Sequence, residues 1–197
     1  MRIGRILYPV KTLGPGNRLV IWVQGCNRRC DGCANPDLWE CDERKHISVE
    51  TLKGISLAAI KTYHLEGITI TGGEPMEQAE ELHELLAALK TICNDVLMFT
   101  GYTYEELEEK DNTSIKRLMR YVSVLVDGPY IKGMNLGDKL RGSANQRIII
   151  LDQTAKDKYQ EYICNSEKIA EAFLAYDGVI VPGIHRQEFL DQFVQIN

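Results

Sequence analysis

The sequence lacks any long apolar run. No stretch of its 197 residues approaches the roughly 20 consecutive apolar residues of a membrane-spanning helix. The opening Met1-Arg2-Ile3-Gly4-Arg5-Ile6-Leu7-Tyr8-Pro9 has no continuous signal-peptide core, so the expected location is the cytosol. Positive charge is not in excess either: 23 Lys and Arg against 28 Asp and Glu give a net charge of −5. That balance argues against a general nucleic-acid or membrane binder, which needs a basic surface to neutralise phosphates or lipid head groups. Repeats and low-complexity tracts are absent, and 44% hydrophobic with 26% charged residues is ordinary globular composition. The length suits one well-buried core and is short for two, so a single domain over 1–197 is expected.

What the chain does have is cysteine at a particular spacing. Six cysteines in a chain expected inside the cell suit metal or redox chemistry better than a disulfide framework. Cys26, Cys30 and Cys33 stand as C-x₃-C-x₂-C just after Leu19-Val20-Ile21-Trp22-Val23, a run that reads as a buried strand delivering Cys26 into a loop. Thiolates select zinc or iron–sulfur clusters. Structural zinc closes a tetrahedron with four protein ligands, whereas a cluster held by three cysteines leaves one iron for a ligand that is not protein. A zinc knot completed by Cys41 and His46 remains the alternative at this point. Taken singly, Cys41, Cys93 and Cys164 read as passive thiols.

Along the rest of the chain, strand and helix patterns alternate. Ser48 is a candidate N-cap for a helix burying Leu52, Ile55, Ala59, Ile60 and Tyr63 and ending near His64. A strand over Ile68-Thr69-Ile70-Thr71 stops at Gly72-Gly73, and Leu82, Leu85, Leu86 and Leu89 mark the next helix. A strand over 96–100 follows, then a capping box of Thr103 and Glu106, then a helix capped by Thr113 with Ile115, Leu118 and Met119. Residues 122–126 and 147–151 are further strand candidates, and Asp177-Gly178 suggests a hairpin joining 173–175 to 179–181. The stretch 156–165 has no clear pattern. Alternation of this kind implies a parallel sheet with crossover helices. A complete eight-unit barrel needs about 250 residues, so a partial, laterally open (βα) barrel is the expected α/β fold, with the hairpin as a C-terminal extension. Cys26, Gly72-Gly73-Glu74 and Asp127-Gly128 would each follow a parallel strand and share its carboxyl edge, where such folds gather functional groups. Glu74 would stand there as a rim carboxylate, while a plain turn is the structural reading of both glycine motifs.

C-x₃-C-x₂-C is the signature of the radical S-adenosylmethionine (SAM) enzymes, and the chain resembles the branch that activates anaerobic ribonucleotide reductase. The resemblance runs through Gly14-Pro15-Gly16-Asn17-Arg18, Gln24-Gly25-Cys26 to Cys33-Ala34-Asn35-Pro36, Thr71-Gly72-Gly73-Glu74-Pro75, Val126-Asp127-Gly128-Pro129-Tyr130 and Arg141-Gly142-Ser143-Ala144-Asn145-Gln146. Gly32 stands where many radical SAM enzymes have an aromatic residue, as it does in the activating branch. The matched core is about 1–150; residues 151–197 carry no motif of the family.

The resemblance implies that Cys26, Cys30 and Cys33 bind three irons of a [4Fe-4S] cluster and that SAM chelates the fourth. It places Gly32, Ala34, Gly72, Gly73, Glu74 and Asp127 at the cofactors, with Glu74 near the SAM amino group. Arg141 could reach a carboxylate of SAM or of a partner, or form a surface ion pair. An electron from the cluster would cleave SAM, and the resulting radical would take hydrogen from a glycine of a large glycyl-radical protein, here the anaerobic reductase. Flavodoxin or ferredoxin is the kind of electron donor implied. Two alternatives stay open: a radical SAM enzyme acting on another glycyl-radical enzyme or peptide, and a non-enzymatic zinc or electron-transfer module.

Overall fold

The computed structural model describes residues 1–165, 169–175, 178–186 and 189. Next to one edge of its six-stranded sheet lies β2 (Arg18–Val23), buried at all six positions. A strand covered on both faces reads as a continuous apolar run rather than an alternation. Leu19, Ile21 and Val23 point into one core cluster, while Val20 and Trp22 point into another on the opposite face. β1 (Ile3–Val10) lies antiparallel to β2 at one edge. Then β3 (Gly67–Gly72), β4 (Val96–Phe99) and β5 (Val124–Asp127) follow in parallel, and β6 (Arg147–Ile150) closes the other edge antiparallel. The six strands stand side by side in sequence order.

The crossover helices all pack on one face. α1 (Val49–Tyr63), α2 (Ala79–Leu89), α3 (Tyr104–Glu109) and α4 (Thr113–Met119) send Leu52, Leu82, Leu86, Leu107, Ile115 and Leu118 into the larger core. The opposite face is covered differently. There α5 (Lys156–Cys164) places Tyr159 against Leu97, Val124 and Val126, and Phe173 and Ile184 pack against Val10, Leu13, Val20 and Trp22. The hairpin pairs β7 (Phe173–Ala175) with β8 (Gly178–Ile180), as the Asp177-Gly178 signal anticipates; the turn residues Tyr176 and Asp177 lie outside the described residues. Among the described residues no helix is long and apolar enough to cross a membrane.

Local differences from the sequence reading have local causes. Ile55 and Tyr63 are 37% and 49% exposed, because the buried stripe of α1 runs through Leu52, Ser56, Ala59 and Ile60. Tyr63 instead stacks edge-on against Tyr8. The cap of α4 is Asn112, whose carbonyl accepts from the amides of Ser114 and Ile115, so Thr113 is the first helical residue rather than the cap. β5 begins at Val124 and ends on Asp127. The Thr103–Glu106 capping box forms as read, and the stretch without a clear pattern folds as α5.

At the amino ends of the parallel strands sits Arg18, whose side chain is wholly buried. Its Nε donates to Thr69 Oγ1 at 2.7 Å, and its Nη atoms donate to the carbonyls of Pro15 and Ile68 and to the Asp95 carboxylate. Asp95 also accepts from Tyr159 Oη and Lys158 Nζ, each at 2.7 Å, so one charge pair fastens β2, β3, the β4 approach and α5 together. Burial pushes the Asp95 carboxyl up, but the Arg18 guanidinium and the donors from Lys158 and Tyr159 hold it below its ordinary value. Its stabilising contribution is therefore complete above the unfolded carboxyl pKa and is lost as pH falls through the lower folded value. Arg18→Ala should lower stability by about 3–5 kcal/mol, the usual cost of orphaning a buried charge. Urea unfolding at neutral pH measures that loss, and repeating it at acid pH should show a smaller difference from wild type.

Candidate functional site

The site forms where β2, β3 and β4 end. Val23 is paired with Gly72 in register, and Gly72 holds φ +108, a conformation that glycine adopts without strain. The amide of Gly73 donates to the Val23 carbonyl at 2.8 Å and that of Glu74 to the Gly25 carbonyl at 2.7 Å. A Cβ on Gly73 would overlap the backbone of Gly25. The diglycine thus brings the chain leaving β3 into backbone contact with the chain leaving β2.

Glu74 carries this contact onward to β4. Its Oε1 accepts from Thr100 Oγ1 at 2.7 Å and from the Met76 amide at 3.0 Å, and its Oε2 accepts from the Gly101 amide at 2.8 Å. The side chain is buried, so it stands in the floor of the site and not on the rim expected from sequence. Burial raises its pKa, against the three donors and the Arg28 charge, which lower it. A carboxylate offers about four acceptor positions. Three are occupied, which leaves Oε2 able to take one more donor.

The cysteine loop leaves β2 through Gly25, which returns to hydrogen-bond the Leu38 carbonyl, while Cys26 bonds that of Trp39. A turn from Cys30 to Cys33 follows, with Gly32 at φ +71. That left-handed conformation disfavours a bulky side chain at this position. Arg28 stacks over the Tyr102 ring at 4.3 Å and reaches Glu106 at 3.1 Å, anchoring the loop to α3. All three thiols are free and half-buried. Burial raises the Cys26 pKa; amides of Arg28 and Arg29 lower it in part, and the charges of Glu74 and Glu77 raise it further.

One open cleft is lined by Cys26, Cys30, Gly32, Cys33, Ala34, Gly72, Gly73 and Glu74. Asp127 is the expected site residue that does not line it. Its carboxylate accepts from the Tyr104 amide and from Arg147, which joins α3 to β6, while the next residue, Gly128, reaches the cleft. Arg141 pairs with Asp138 at 2.6 Å. From that motif Gln146 enters the lining instead, holding the Gly142 amide and the Gly128 carbonyl. The sequence reading did not find Thr100, Gly101, Tyr130, Asn135 or the segment Gly183-Ile184-His185, all of which line the cleft. Thr100 and Gly101 had a signal in their place after a parallel strand; the others are brought in by tertiary folding.

The donor set fits an iron–sulfur cluster. Among the described residues no three His, Cys, Asp or Glu side chains gather around a point that could hold one metal ion. Around a single zinc, at Zn–S distances of about 2.3 Å, thiolates lie close together, whereas cluster thiolates each bind a different iron. His46 turns its Nε2 to the amino group of Met1, 3.3 Å away, and among the described residues neither it nor Cys41 gathers with the loop thiols into a group that could hold one metal ion.

The fold and site define an α/β protein with a thiol-lined cofactor cleft at the carboxyl edge of parallel strands. The 4Fe-4S single cluster domain family matches residues 12–149. The anaerobic ribonucleoside-triphosphate reductase-activating protein of Vibrio cholerae is 34% identical over 149 residues, 72% of this chain and 93% of that protein. Its counterpart from Enterobacteria phage T4 is 32% identical over 147 residues, 72% of this chain and 90% of that protein. The chain belongs to the 4Fe-4S single cluster domain family and, within it, to the anaerobic ribonucleoside-triphosphate reductase-activating proteins. A pyruvate formate-lyase-activating enzyme of Clostridium pasteurianum is 36% identical over 100 residues, 49% of this chain and 42% of that enzyme.

Gly73→Ala tests the geometry alone. Because its methyl would meet backbone that cannot turn aside, it should destabilise the protein by about 1–3 kcal/mol. Thermal or urea unfolding of the cofactor-free protein measures this, with Gly54→Ala as the clash-free control: nothing lies within 4 Å of its added atom, and inside α1 it should gain about 0.5–1 kcal/mol.

Proposed function

We propose that this protein is a radical SAM activase that generates a glycyl radical on anaerobic ribonucleotide reductase. The observation that carries the reading is the meeting of Cys26, Cys30 and Cys33 with Gly72-Gly73-Glu74 in one cleft. The three thiolates would hold three irons of a [4Fe-4S] cluster. Gly72 and Gly73 line the space SAM would fill, and the remaining acceptor position of Glu74 Oε2 suits its ammonium group, whose positive charge would favour the ionised carboxylate that burial disfavours. Gly32 and Ala34 border the same ligand. Asp127 acts at one remove, setting Gly128 and β6 in place. With a cluster and SAM bound, the chemistry supplied is one-electron cleavage of a carbon–sulfur bond, which provides a hydrogen-abstracting radical.

We read the sheet as a partial, laterally open barrel, supported by its linear order from β1 to β6 and by four successive parallel strands. An open side gives a protein-borne glycine a path to the cleft. The chain is read as one domain with a core of about 1–150 and an extension over 151–197, working in the cytosol with flavodoxin or ferredoxin as electron donor.

Anaerobic reconstitution should yield four iron and four sulfide per chain, and Cys30→Ala should lose them. Stoichiometric zinc without labile sulfide would sink the reading. Glu74→Gln should weaken SAM binding by roughly ten- to a hundredfold, the equivalent of one charge-assisted hydrogen bond, with the cluster largely retained; calorimetry reads the first and iron analysis the second. Mixed with SAM, a reductant and the anaerobic reductase, the protein should give a glycyl radical by electron paramagnetic resonance. Replacing the reductase's radical glycine by alanine should abolish it, and a radical formed only on another protein or a peptide would reassign the substrate.

A further inference from the structure

The family match ends at residue 149, and the Vibrio cholerae relative is covered over 93% of its length while matching only 72% of this chain. Over a quarter of the chain therefore has no counterpart in that relative. Part of this addition reaches the cleft: Gly183, Ile184 and His185 form a wall of it. They are tied in place by the Thr12 hydroxyl donating to the Pro182 carbonyl at 2.8 Å and by Asn135 Nδ2 donating to that of His185 at 2.9 Å. Upstream, Glu171 Oε2 accepts from the amides of Lys11 and Thr12.

The hairpin that leads into this wall is apolar on both faces. Phe173 and Ile180 are register partners, and Phe173 packs on the core beside Val10 and Val20. Leu174 and Val179 are the next pair, pointing the opposite way, and they are 92% and 57% exposed. A two-stranded ribbon packed on one side normally turns polar side chains to water on the other. Here a directly opposed aliphatic pair faces outward, a few residues from the cleft wall.

We propose that the Leu174–Val179 face is the docking contact for the protein that carries the substrate glycine. The inference rests on the activase reading. Val179 lines one groove with Gly183-Ile184-His185 and with Ala34, Asn35 and Thr71 of the cleft, and β8 runs directly into that wall, so a large protein presenting a glycine along this groove meets the Leu174–Val179 surface. An exposed aliphatic pair suits an apolar patch on that partner. The cofactor chemistry stays with the core, while this chain's addition holds its substrate protein.

The test uses the full chain and the anaerobic reductase of the same organism as the probe. Leu174→Ser with Val179→Ser should weaken reductase binding to the cluster-free protein by about tenfold or more, a hot-spot effect, read by biolayer interferometry. The reductase concentration giving half-maximal radical formation should rise by the same factor, with partner-free SAM cleavage unchanged. Leu174→Met with Val179→Ile should keep wild-type binding, which separates lost apolar contact from misfolding. Unchanged reductase binding by the serine variant overturns the proposal. So does self-association of the wild type that the serine variant abolishes without affecting the reductase, since that assigns the face to a second copy. If the wild type binds reductase but cleaves no SAM, the activase reading fails, and the binding comparison still decides the docking face.

Discussion

The cleft depends on one buried carboxylate. Glu74 leaves β3 and is held by Thr100 and Gly101, which leave β4, while its own amide is held by Gly25, on the way from β2 to Cys26. Three strand ends thus converge on a single residue. Hydrogen bonds to a charged acceptor contribute about 1.5–3 kcal/mol each, and here they offset only part of the cost of burial, which still raises the Glu74 pKa. The same residue that joins the three strand ends also lines the cleft.

At the other end of the strands, Arg18 and Asp95 perform the corresponding task. Parallel strands have no short turn to fix their register, since each pair is joined through a helix. Arg18 supplies a fixed reference by bonding Thr69 and Ile68 of β3 from the first residue of β2. Tyr159 and Lys158 bring α5 onto the same carboxylate. With register set at both ends, the cysteine loop and the diglycine arrive at the same height on the sheet. The crossover helices α1–α4 cover one face only, so the part of the other face that carries Trp22 and Phe99 is available to the loop 130–146 and to the C-terminal segment, both of which border the cleft. Beyond the family match, Phe173 and Ile184 pack on that face.

That the three thiols gather at the end of β2 was legible in the sequence by itself. Three cysteines seven residues apart in total after an apolar run place their thiols at one strand end whatever else the chain does, because local spacing limits how far they can separate. The continuous apolar character of β2, the diglycine after β3 and the Thr103–Glu106 cap are likewise local signals, and they appear in the fold as read. What tertiary structure alone decided are the choices made between distant segments. Glu74 could be placed after a strand, but not in the floor, because its partners at 100 and 101 lie in another unit. Asp127 sits at the right strand end, yet Arg147 and the Tyr104 amide turn its carboxylate away from the cleft lining. Arg18 carried no sign of complete burial, since its compensating groups span residues 15 to 95. His185 joins the cleft through Asn135, fifty residues earlier. Periodicity and spacing report the covalent neighbourhood of a residue, whereas its burial and hydrogen-bond partners follow from which faces meet when the sheet closes its core.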